Sequence, residues 1–561
     1  MTSASSVARE TLAPPVTVRR LLTPATALTF VIAACASLAY LDFDLSRVGQ
    51  AVTAVPDIAA RAWPPDFGVT GEALTAAVET LWMAVLGTTL AAILAAPIAV
   101  AAARNTTPHP VVRTVARAIV VVCRVVPDIA FALFFVVSTG IGPLPGILAL
   151  ALHSIGMLGR LFTEAIERIE PGPVEAGTAA GAGPVQRLTA GVLPQVVPSF
   201  LAVALYRLDV NFRGATLLGF VGAGGMGLLL QKYGGAPTTY QELAAVVVII
   251  MACCLVFEGI SVVLRRAVGG VLAGRPGQGD GSGRPARTPA IDRERLRVPW
   301  TSERRRVWAF GALAVATVVA AALLVDVRLA DLGKLADGFV SSVIAFVPTP
   351  QTLLAEAGGV PFWVDLLDGL IQTLAVSLVA IVACAVIGVP WGLLAASNVA
   401  PHRLLYAPAR AGLVLARSVP EAAIAVVAVA VFGLEPITAV LVLTLAVCPF
   451  LAKLVADVVE EIRPGPREGV LAAGATRWQE LLAGVWAQVV PSITSSVLYA
   501  FDVMIRAIPL LGIIGVGKLG YTMSQGFTQL QYDLVGAIIA ALFVVVLAVQ
   551  LVSDRLRRSL A

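Results

Sequence analysis

Long apolar stretches separated by short polar segments run through the whole chain. A helix of about 20 apolar residues crosses the hydrocarbon core of a bilayer. The sequence predicts six such spans in its first half, at 21–41, 77–103, 114–138, 143–166, 194–214 and 242–264. It predicts six more in the second half, at 307–325, 367–396, 405–432, 434–459, 489–510 and 533–553. The pattern therefore predicts an all-α integral membrane protein with about twelve transmembrane helices.

Two polar segments divide this pattern. The sequence predicts an N-terminal tail at residues 1–20. It also predicts a flexible linker at residues 266–306, which are rich in Arg, Gly and Pro. They leave a first half at 21–265 and a second half at 307–561, each with six predicted spans.

An internal repeat relates the two halves. Adding 293 to a residue number in the first half gives its counterpart in the second, without a gap from Thr80/Thr373 to about Gly227/Gly520. An even number of spans per half gives both halves the same orientation. The sequence therefore predicts parallel repeats related by an axis along the membrane normal, with a translocation path at their interface.

Composition and charge support the membrane assignment and set the orientation. The chain is 58% hydrophobic and 13% charged, against about 25% charged residues in soluble domains. Its basic residues lie in short loops near Arg104, Arg113, Arg403 and Arg410, in the linker and at both termini. The positive-inside rule places all of these in the cytoplasm and the acid-biased segment 42–73 outside. Such scattered basic residues do not indicate nucleic-acid binding, and lipid is the expected surrounding.

The cysteines and histidines do not indicate a metal site or disulfides. All six cysteines lie in apolar runs, and none forms a ligand-spaced set with the three histidines. We expect them to be small buried apolar residues.

One polar stretch occurs in both halves, as PGPVEAGTAAGAGPVQRLTAGVLPQVVPS at 171–199 and PGPREGVLAAGATRWQELLAGVWAQVVPS at 464–492. Pro-Gly-Pro interrupts the preceding helix, and the Glu two residues later favours the start of a new one. The small residues that follow offer a smooth surface for close approach. We call 171–190 and 464–483 the first and second docking segments, because the repeat favours attachment of another protein over an ordinary interfacial helix.

The first docking segment resembles the "EAA" loop of ABC importer permeases, through Glu175-Ala176, Gly181 and Leu193-Pro194. In that family the loop forms coupling helices that sit in clefts of the ATPase subunits. The second segment keeps the Glu and the Gly, but Gly469 follows its Glu and Trp486-Ala487 replaces Leu-Pro. The resemblance implies ATPase coupling through Glu175, Ala176, Gly181, Glu468, Gly469 and Gly474, with unequal strength at the two segments.

Flanking sequence resembles permeases of phosphonate/phosphate ABC importers, at Arg124–Asp128, 146–169 and 206–227. The resemblance implies a type I, MetI-like permease fold in the bacterial plasma (inner) membrane, with two permease halves fused and both termini cytoplasmic. It also implies two copies of an ABC ATPase subunit, which carry the ATP and Mg, and an extracytoplasmic phosphonate- or phosphate-binding protein. No cofactor is expected in this chain.

Two glycine-rich motifs do not make the chain an ATPase. Residues 222–227 fit GxGxxG but lack the strand and βαβ unit of a dinucleotide site. Residues 512–518 fit a phosphate loop but continue with Leu519 in place of Ser or Thr. We interpret both as glycine-rich turns or broken helix ends, which can also present backbone N–H groups to an anion.

Ionisable residues in the spans are candidates for the substrate pathway, because unpaired charges in lipid are costly. The predicted pathway residues are Arg124, Arg213, Arg417, Arg506, Tyr206, Tyr499, Asp209 and Asp502. Arginine suits oxyanion contacts, but each Arg could instead pair with an acid and only fix helix packing.

Two further hypotheses stay open at this stage. An ion-gradient-driven transporter would use Asp128, Asp209, Glu421 and Asp502 as ion sites. An ABC permease for an amino acid or a quaternary amine would share the fold, although an amine predicts an aromatic cage.

Overall fold

A computed structural model describes residues 18–42, 45–273, 302–325, 329–357 and 360–560. Most of the predicted tail 1–20 and of the predicted linker 266–306 lies outside these residues. The described chain is helical apart from one short hairpin of strands β1 (Glu356–Ala357) and β2 (Val360–Pro361), which pair antiparallel.

The helices follow in chain order. Up to residue 273 they are α1 (Val18–Tyr40), α2 (Leu45–Ala62), α3 (Thr70–Ala102), α4 (Pro110–Val125), α5 (Asp128–Thr139), α6 (Pro143–Glu167), α7 (Gly172–Ala179), α8 (Pro184–Gln186), α9 (Leu193–Leu218), α10 (Met226–Gly234) and α11 (Tyr240–Ala273). From residue 302 they are α12 (Ser302–Leu324), α13 (Leu329–Ala345), α14 (Pro350–Leu354), α15 (Phe362–Leu394), α16 (Arg403–Ser418), α17 (Glu421–Phe432), α18 (Pro436–Glu460), α19 (Pro464–Ala472), α20 (Arg477–Gln479), α21 (Ala487–Ile513), α22 (Lys518–Thr528) and α23 (Tyr532–Leu560).

Membrane spans of the predicted kind are present in the described residues. Eight helices are long and apolar enough to cross a membrane, or up to ten if each of two bent helix pairs is one span. Two shorter apolar helices, Pro24–Tyr40 and Gly311–Leu324, lie where the spans 21–41 and 307–325 were predicted. A multi-pass, all-helical membrane protein is thus confirmed, and the number twelve stays a prediction.

The predicted spans 114–138 and 405–432 are each two helices with a sharp bend between them. The axes of α4 and α5 meet at 91°, and those of α16 and α17 at 85°. Pro127 and Pro420 lie at the bends, and the residue before a proline is disfavoured in helical conformation. Val126 and Val419 accordingly have extended ψ angles of 125° and 118°.

The chain forms two compact units, which we call the first-repeat unit (61–346) and the second-repeat unit (1–60 with 347–561). In the first-repeat unit α3 packs along α6, and in the second-repeat unit α15 packs along α18. Helix α1 contacts α15 within the second-repeat unit, and α12 contacts α3 within the first-repeat unit. Each unit thus includes helices that precede the repeat of the other half in sequence.

Aromatic and aliphatic side chains form the core below the first docking segment. Leu158 and Phe162 of α6 and Val196 and Phe200 of α9 belong to one buried cluster. The rings of Phe162 and Phe200 stack with their centroids 3.8 Å apart. This packing joins the two helices on either side of the docking segment.

Candidate functional site: docking segments and buried charges

Each docking segment is a short surface helix, α7 or α19, that ends in the same backbone motif. Gly181 and Gly474 follow these helices with φ angles of +78° and +80°. The motif is closed by hydrogen bonds from Gly181 N to Thr178 O, Ala182 N to Gly177 O, Gly474 N to Leu471 O and Ala475 N to Val470 O. This is a Schellman motif, whose left-handed residue is most often glycine. The two glycines of the sequence motif therefore terminate the docking helices.

Replacing Gly474 by Ala is expected to lower the free energy of unfolding by about 1 kcal/mol, because a side chain is disfavoured in the left-handed region. No other atom lies within 4 Å of the added Cβ, so the cost is conformational. Gly469→Ala is the matched control: the residue lies inside α19, again with nothing within 4 Å, and should gain up to about 1 kcal/mol. Thermal unfolding measures both, and a loss from Gly469→Ala as large as that from Gly474→Ala would contradict this account.

Two further glycines and two glutamines hold the docking helices in place. A Cβ on Gly191 would meet Val174 Cα of α7 at 3.3 Å, and one on Gly484 would meet Arg467 Cα of α19 at 3.1 Å. Gln195 Nε2 donates to Glu170 O at 3.3 Å, just before α7, and Gln488 Nε2 donates to Arg463 O at 3.4 Å, just before α19. These four positions were absent from our predicted site residues. Their signal was available, since Gly191/Gly484 and Gln195/Gln488 are identical pairs at the repeat offset.

The predicted coupling residues lie on the surface. Glu175 and Ala176 of α7 are exposed, as are Glu468 and Gly469 of α19. Glu175 lies in the first turn of α7, where a carboxylate is favoured by the helix dipole. Glu468 lies beyond the first turn of α19. The side chains are accessible to another protein.

The two docking surfaces differ in polarity. The second exposes Leu471, Trp478 and Leu482, with 74% of Trp478 accessible. The matched residues of the first are Thr178, Val185 and Thr189, all exposed. The second segment is also held to the rest of its unit by hydrogen bonds from Arg467 Nη1 to Asn398 O at 2.5 Å and from Arg477 Nη1 to Pro401 O at 2.9 Å. An ion pair of Arg467 with Glu480 lies within the segment.

The predicted pathway arginines of α9 and α21 pair with aspartates one helical turn earlier. Arg213 Nη2 lies 2.5 Å from Asp209 Oδ2, and Arg506 Nη2 lies 3.2 Å from Asp502 Oδ2. The aspartate side chains are 4% and 3% exposed, whereas Arg213 is 20% exposed and Arg506 9%. Acid pairing, one of the two alternatives raised by the sequence, is therefore present in both units.

The other predicted pathway arginines lie at the bends. Arg124 is the last residue but one of α4 and is buried, and Arg417 is the last residue but one of α16 and is half-buried. Gly156 of α6 lies against the main chain at Arg124, where a Cβ would be 2.4 Å from Arg124 N. On the other side of the first bend, Asp128 Oδ2 lies beside Gly214 of α9, 3.9 Å from the Cβ position. The bend therefore brings Asp128 beside Gly214, the residue that follows Arg213 on α9.

The two predicted tyrosines have different surroundings. Tyr206 on α9 is 40% exposed. Tyr499 on α21 is half-buried, with its ring 5.8 Å from that of Phe450 and 6.0 Å from the Arg557 guanidinium carbon.

The glycine-rich motifs form tight turns between α9 and α10 and between α21 and α22. Gly222, Gly224 and Gly225 all have positive φ. Gly225 N donates to Glu79 Oε2 at 3.2 Å, and Met226 N donates to Thr80 Oγ1 at 2.9 Å. These backbone amides thus bind side chains of α3.

In the second motif, the lysine of the apparent phosphate loop is engaged by acids. Lys518 Nζ lies 2.6 Å from Asp365 Oδ1 and 2.7 Å from Asp368 Oδ2. Tyr40 Oη donates to the Asp368 carboxylate at 2.5 Å, and Lys518 N donates to Gln372 Oε1 at 3.0 Å. Both turns therefore anchor the N-terminal third of the long helix of their unit, α3 or α15.

The first-repeat unit makes the corresponding anchor from another position. Lys232 of α10 lies 2.8 Å from Glu72 Oε1, and Tyr233 Oη donates to Glu72 Oε2 at 2.9 Å. The hydrogen bond to Glu72 raises the pKa of the Lys232 ammonium. Within the part of the chain that the structure describes, no group of three or more His, Cys, Asp or Glu side chains could hold a metal ion.

Comparison with known proteins places these features in a family context. Residues 87–270 and 388–561 each match the family model of a binding-protein-dependent transport system inner membrane component. The phosphate-import permease protein PhnE of Mycolicibacterium smegmatis is 41% identical over 486 residues, covering 86% of this chain and 85% of that protein. The phosphite transport system permease protein PtxC of Stutzerimonas stutzeri is 42% identical over 223 residues, 40% of this chain and 81% of that protein. A solved chain of the inward-facing MetNI methionine ABC transporter overlaps with a TM-score of 0.31 at 23% identity, covering 35% of this chain and 95% of that chain.

Proposed function

The chain belongs to the family of binding-protein-dependent transport system inner membrane components, and we propose that it forms both permease halves of an ATP-driven importer for phosphate, phosphonate or a related oxyanion. The substrate class comes from similar proteins that are named phosphate-import and phosphite transport permeases. As a permease component the chain is not itself an enzyme. ATP hydrolysis belongs to a separate subunit.

The observation that carries the proposal is the docking geometry, which occurs once in each unit at the same repeat positions. Each unit presents a short surface helix with an exposed Glu and a Schellman motif at its end. In the proposed complex two ATPase subunits, carrying ATP and Mg, bind these helices. The docking segments, the linker and both termini then face the cytoplasm, and a binding protein approaches from the other side.

The proposed pathway uses the charged helices α9 and α21. Because Asp209 and Asp502 already hold Arg213 and Arg506, an oxyanion would meet a guanidinium that shares its charge with a carboxylate. Such a contact is weak, and weak contacts suit a path from which the substrate must also leave. Arg124 and Arg417 at the two bends complete the proposed set.

Reconstitution of the chain with its ATPase and binding protein in liposomes tests this function. We expect uptake of radiolabelled phosphate, phosphonate or phosphite that requires ATP and the binding protein and that continues when an uncoupler collapses ion gradients. Loss of uptake with the uncoupler at constant ATP would overturn the proposal in favour of an ion-driven transporter. Uptake of an amino acid or a quaternary amine in place of any oxyanion would overturn the substrate class.

A further inference from the structure

A buried polar cluster joins three helices in the middle of the first-repeat unit. It consists of Thr88 on α3, Ser154 on α6, and Arg207 and Asn211 on α9, all of them buried. Asn211 Nδ2 donates to Thr88 Oγ1 at 2.8 Å and to Ser154 Oγ at 2.9 Å. Arg207 Nε donates to Ser154 Oγ at 2.9 Å. Residues near the middle of long membrane helices are thus linked by directional bonds.

The second-repeat unit replaces every member of this cluster by an apolar residue. At the repeat offset, the counterparts of Thr88, Ser154, Arg207 and Asn211 are Ile381, Val447, Ala500 and Met504. All four counterparts are buried. The matched positions are therefore filled in two ways, once by hydrogen-bonded polar side chains and once by buried apolar side chains. By contrast, the neighbouring Asp209–Arg213 pair is kept as Asp502–Arg506.

Stability alone does not account for the polar version. Replacing a buried charged network by well-packed apolar residues is often neutral or stabilising, and the second-repeat unit contains such a replacement. Ionisable side chains inside membrane helices generally have a functional reason. Buried hydrogen-bond networks also specify one relative arrangement of their elements, which aliphatic contacts do less strictly.

The arrangement that this cluster specifies is the rotation of α9 about its axis. Arg207 and Asn211 are four residues apart and lie on one face of the helix. Asp209 and Arg213 lie on another face, about 200° around the helix from the first. Bonds from Arg207 and Asn211 to α6 and α3 therefore determine where the Asp209–Arg213 pair points.

We propose that Arg207 is a positioning residue, which with Thr88, Ser154 and Asn211 holds α9 so that Asp209–Arg213 faces the translocation path. The second-repeat unit lacks this constraint, so α21 turns more easily than α9. The two halves then contribute unequally to transport: α9 presents a fixed ion pair and α21 a movable one. The effect on transport rests on the proposed function, whereas the effect on helix rotation does not.

The test exchanges the cluster for the chain's own apolar version, in the variant T88I/S154V/R207A/N211M. The same four residues are buried at the matched positions of the second-repeat unit, so we expect the variant to assemble with an unfolding midpoint close to that of the parent. A matched control, R160K/E164D, copies the Lys453–Asp457 pair of the second-repeat unit onto the Arg160–Glu164 pair of the first. It should leave every readout unchanged.

The first readout is the rotation of α9 and does not need transport. The variant Tyr206→Cys is labelled with a maleimide in the purified chain, with and without the exchange. The labelling rate of the matching protein that keeps Tyr206 is subtracted, because the chain's six own cysteines also react. We expect the exchange variant to change this rate at least threefold, while labelling at Tyr499→Cys of α21 stays the same. An unchanged rate at Tyr206→Cys would overturn the proposal. If the exchange variant does not assemble, Ser154→Ala carries the same test with an expected change of about 1.5-fold or more, and no change there would likewise overturn it.

The second readout is a double-mutant cycle for ATP-dependent uptake with Arg213→Gln. We expect the exchange variant to lower uptake at least tenfold and Arg213→Gln to add little to that loss, because both changes act through the same ion pair. If the combined variant instead loses uptake by the product of the two separate factors, the exchange and Arg213→Gln act independently, and the positioning role is overturned. If the parent chain takes up no oxyanion at all, the proposed function fails, and the labelling result still decides the role of the cluster.

Discussion

Replacing Gly227 by Ala is expected to prevent assembly of the folded protein. Its added Cβ would lie 1.9 Å from Thr216 O and 2.9 Å from Gly219 Cα, where α10 crosses the end of α9. Overpacking a well-packed site costs about 1–3 kcal/mol when side chains can adjust. Here the neighbour is main chain, so we expect a loss of about 3 kcal/mol or more. The yield of monodisperse protein in detergent and its thermal unfolding measure the effect.

The second-repeat unit has the same crossing and provides an independent test. A Cβ on Gly520 would lie 2.4 Å from Gly512 Cα and 2.5 Å from Pro509 O. Gly520→Ala should therefore be as damaging as Gly227→Ala. Gly259→Ala in α11 is the control, because nothing lies within 4 Å of its Cβ position. Normal yield and an unchanged unfolding midpoint for Gly227→Ala would show that the helices do not cross as described.

These helix crossings explain the glycine-rich motif at 222–227, which the sequence pattern alone explains only in part. The spacing in residues 222–227 predicts a glycine-rich turn, and the positive φ angles of Gly222, Gly224 and Gly225 agree with a turn. Gly227 has a different reason, which is close approach to Gly219. A one-dimensional pattern does not separate the two reasons, since both favour the residue without a side chain.

The repeat offset was the most informative feature of the sequence, because it predicts contacts as well as folds. Asn105 Nδ2 donates to Ile166 O at 2.7 Å, and Asn398 Nδ2 donates to Val459 O at 2.7 Å. Identical polar residues at matched positions thus make identical bonds in the two units. The buried polar cluster does not follow the repeat. Its members differ from their counterparts, so a search for repeated identities passes over it.

Features without a repeat counterpart were not predictable in the same way. The offset begins at Thr80/Thr373, so it contains no information on α1 or α12. Their hydrophobic pattern predicts a span but not which helix the span contacts. The bends after α4 and α16 had a local signal in Pro127 and Pro420. An angle near 90° is set by tertiary packing, such as that of Gly156 against Arg124, which a hydropathy pattern does not contain.

Charge reversal at the two docking segments is expected to lower ATPase binding and transport by different amounts. The first surface is polar around Glu175, whereas the second adds Leu471, Trp478 and Leu482 to Glu468. Burial of apolar area stabilises a contact by about 25 cal/mol per Å², and tryptophan is often a residue on which binding depends strongly. We therefore expect Glu175→Lys to weaken ATPase binding at least tenfold and Glu468→Lys about threefold, by this argument.

Apolar truncation should reverse that order, which provides the matched control. Trp478→Ala removes a side chain that is 74% exposed, and Val185→Ala removes its smaller counterpart, which is 72% exposed. We expect at least a tenfold loss from Trp478→Ala and about a twofold loss from Val185→Ala, since the area removed differs. Titration of the ATPase against the purified chain in nanodiscs, followed by uptake in proteoliposomes, measures all four variants.

The double variant Glu175→Lys/Glu468→Lys decides the docking assignment itself. With the charge reversed at both contacts, we expect neither the complex nor ATP-dependent uptake to survive. The isolated chain should unfold at its normal temperature because both side chains are exposed. Intact assembly and transport would mean that the ATPase binds elsewhere. Equal losses from the two single charge reversals, together with equal losses from Trp478→Ala and Val185→Ala, would mean instead that the ATPase binds here but does not distinguish the two surfaces.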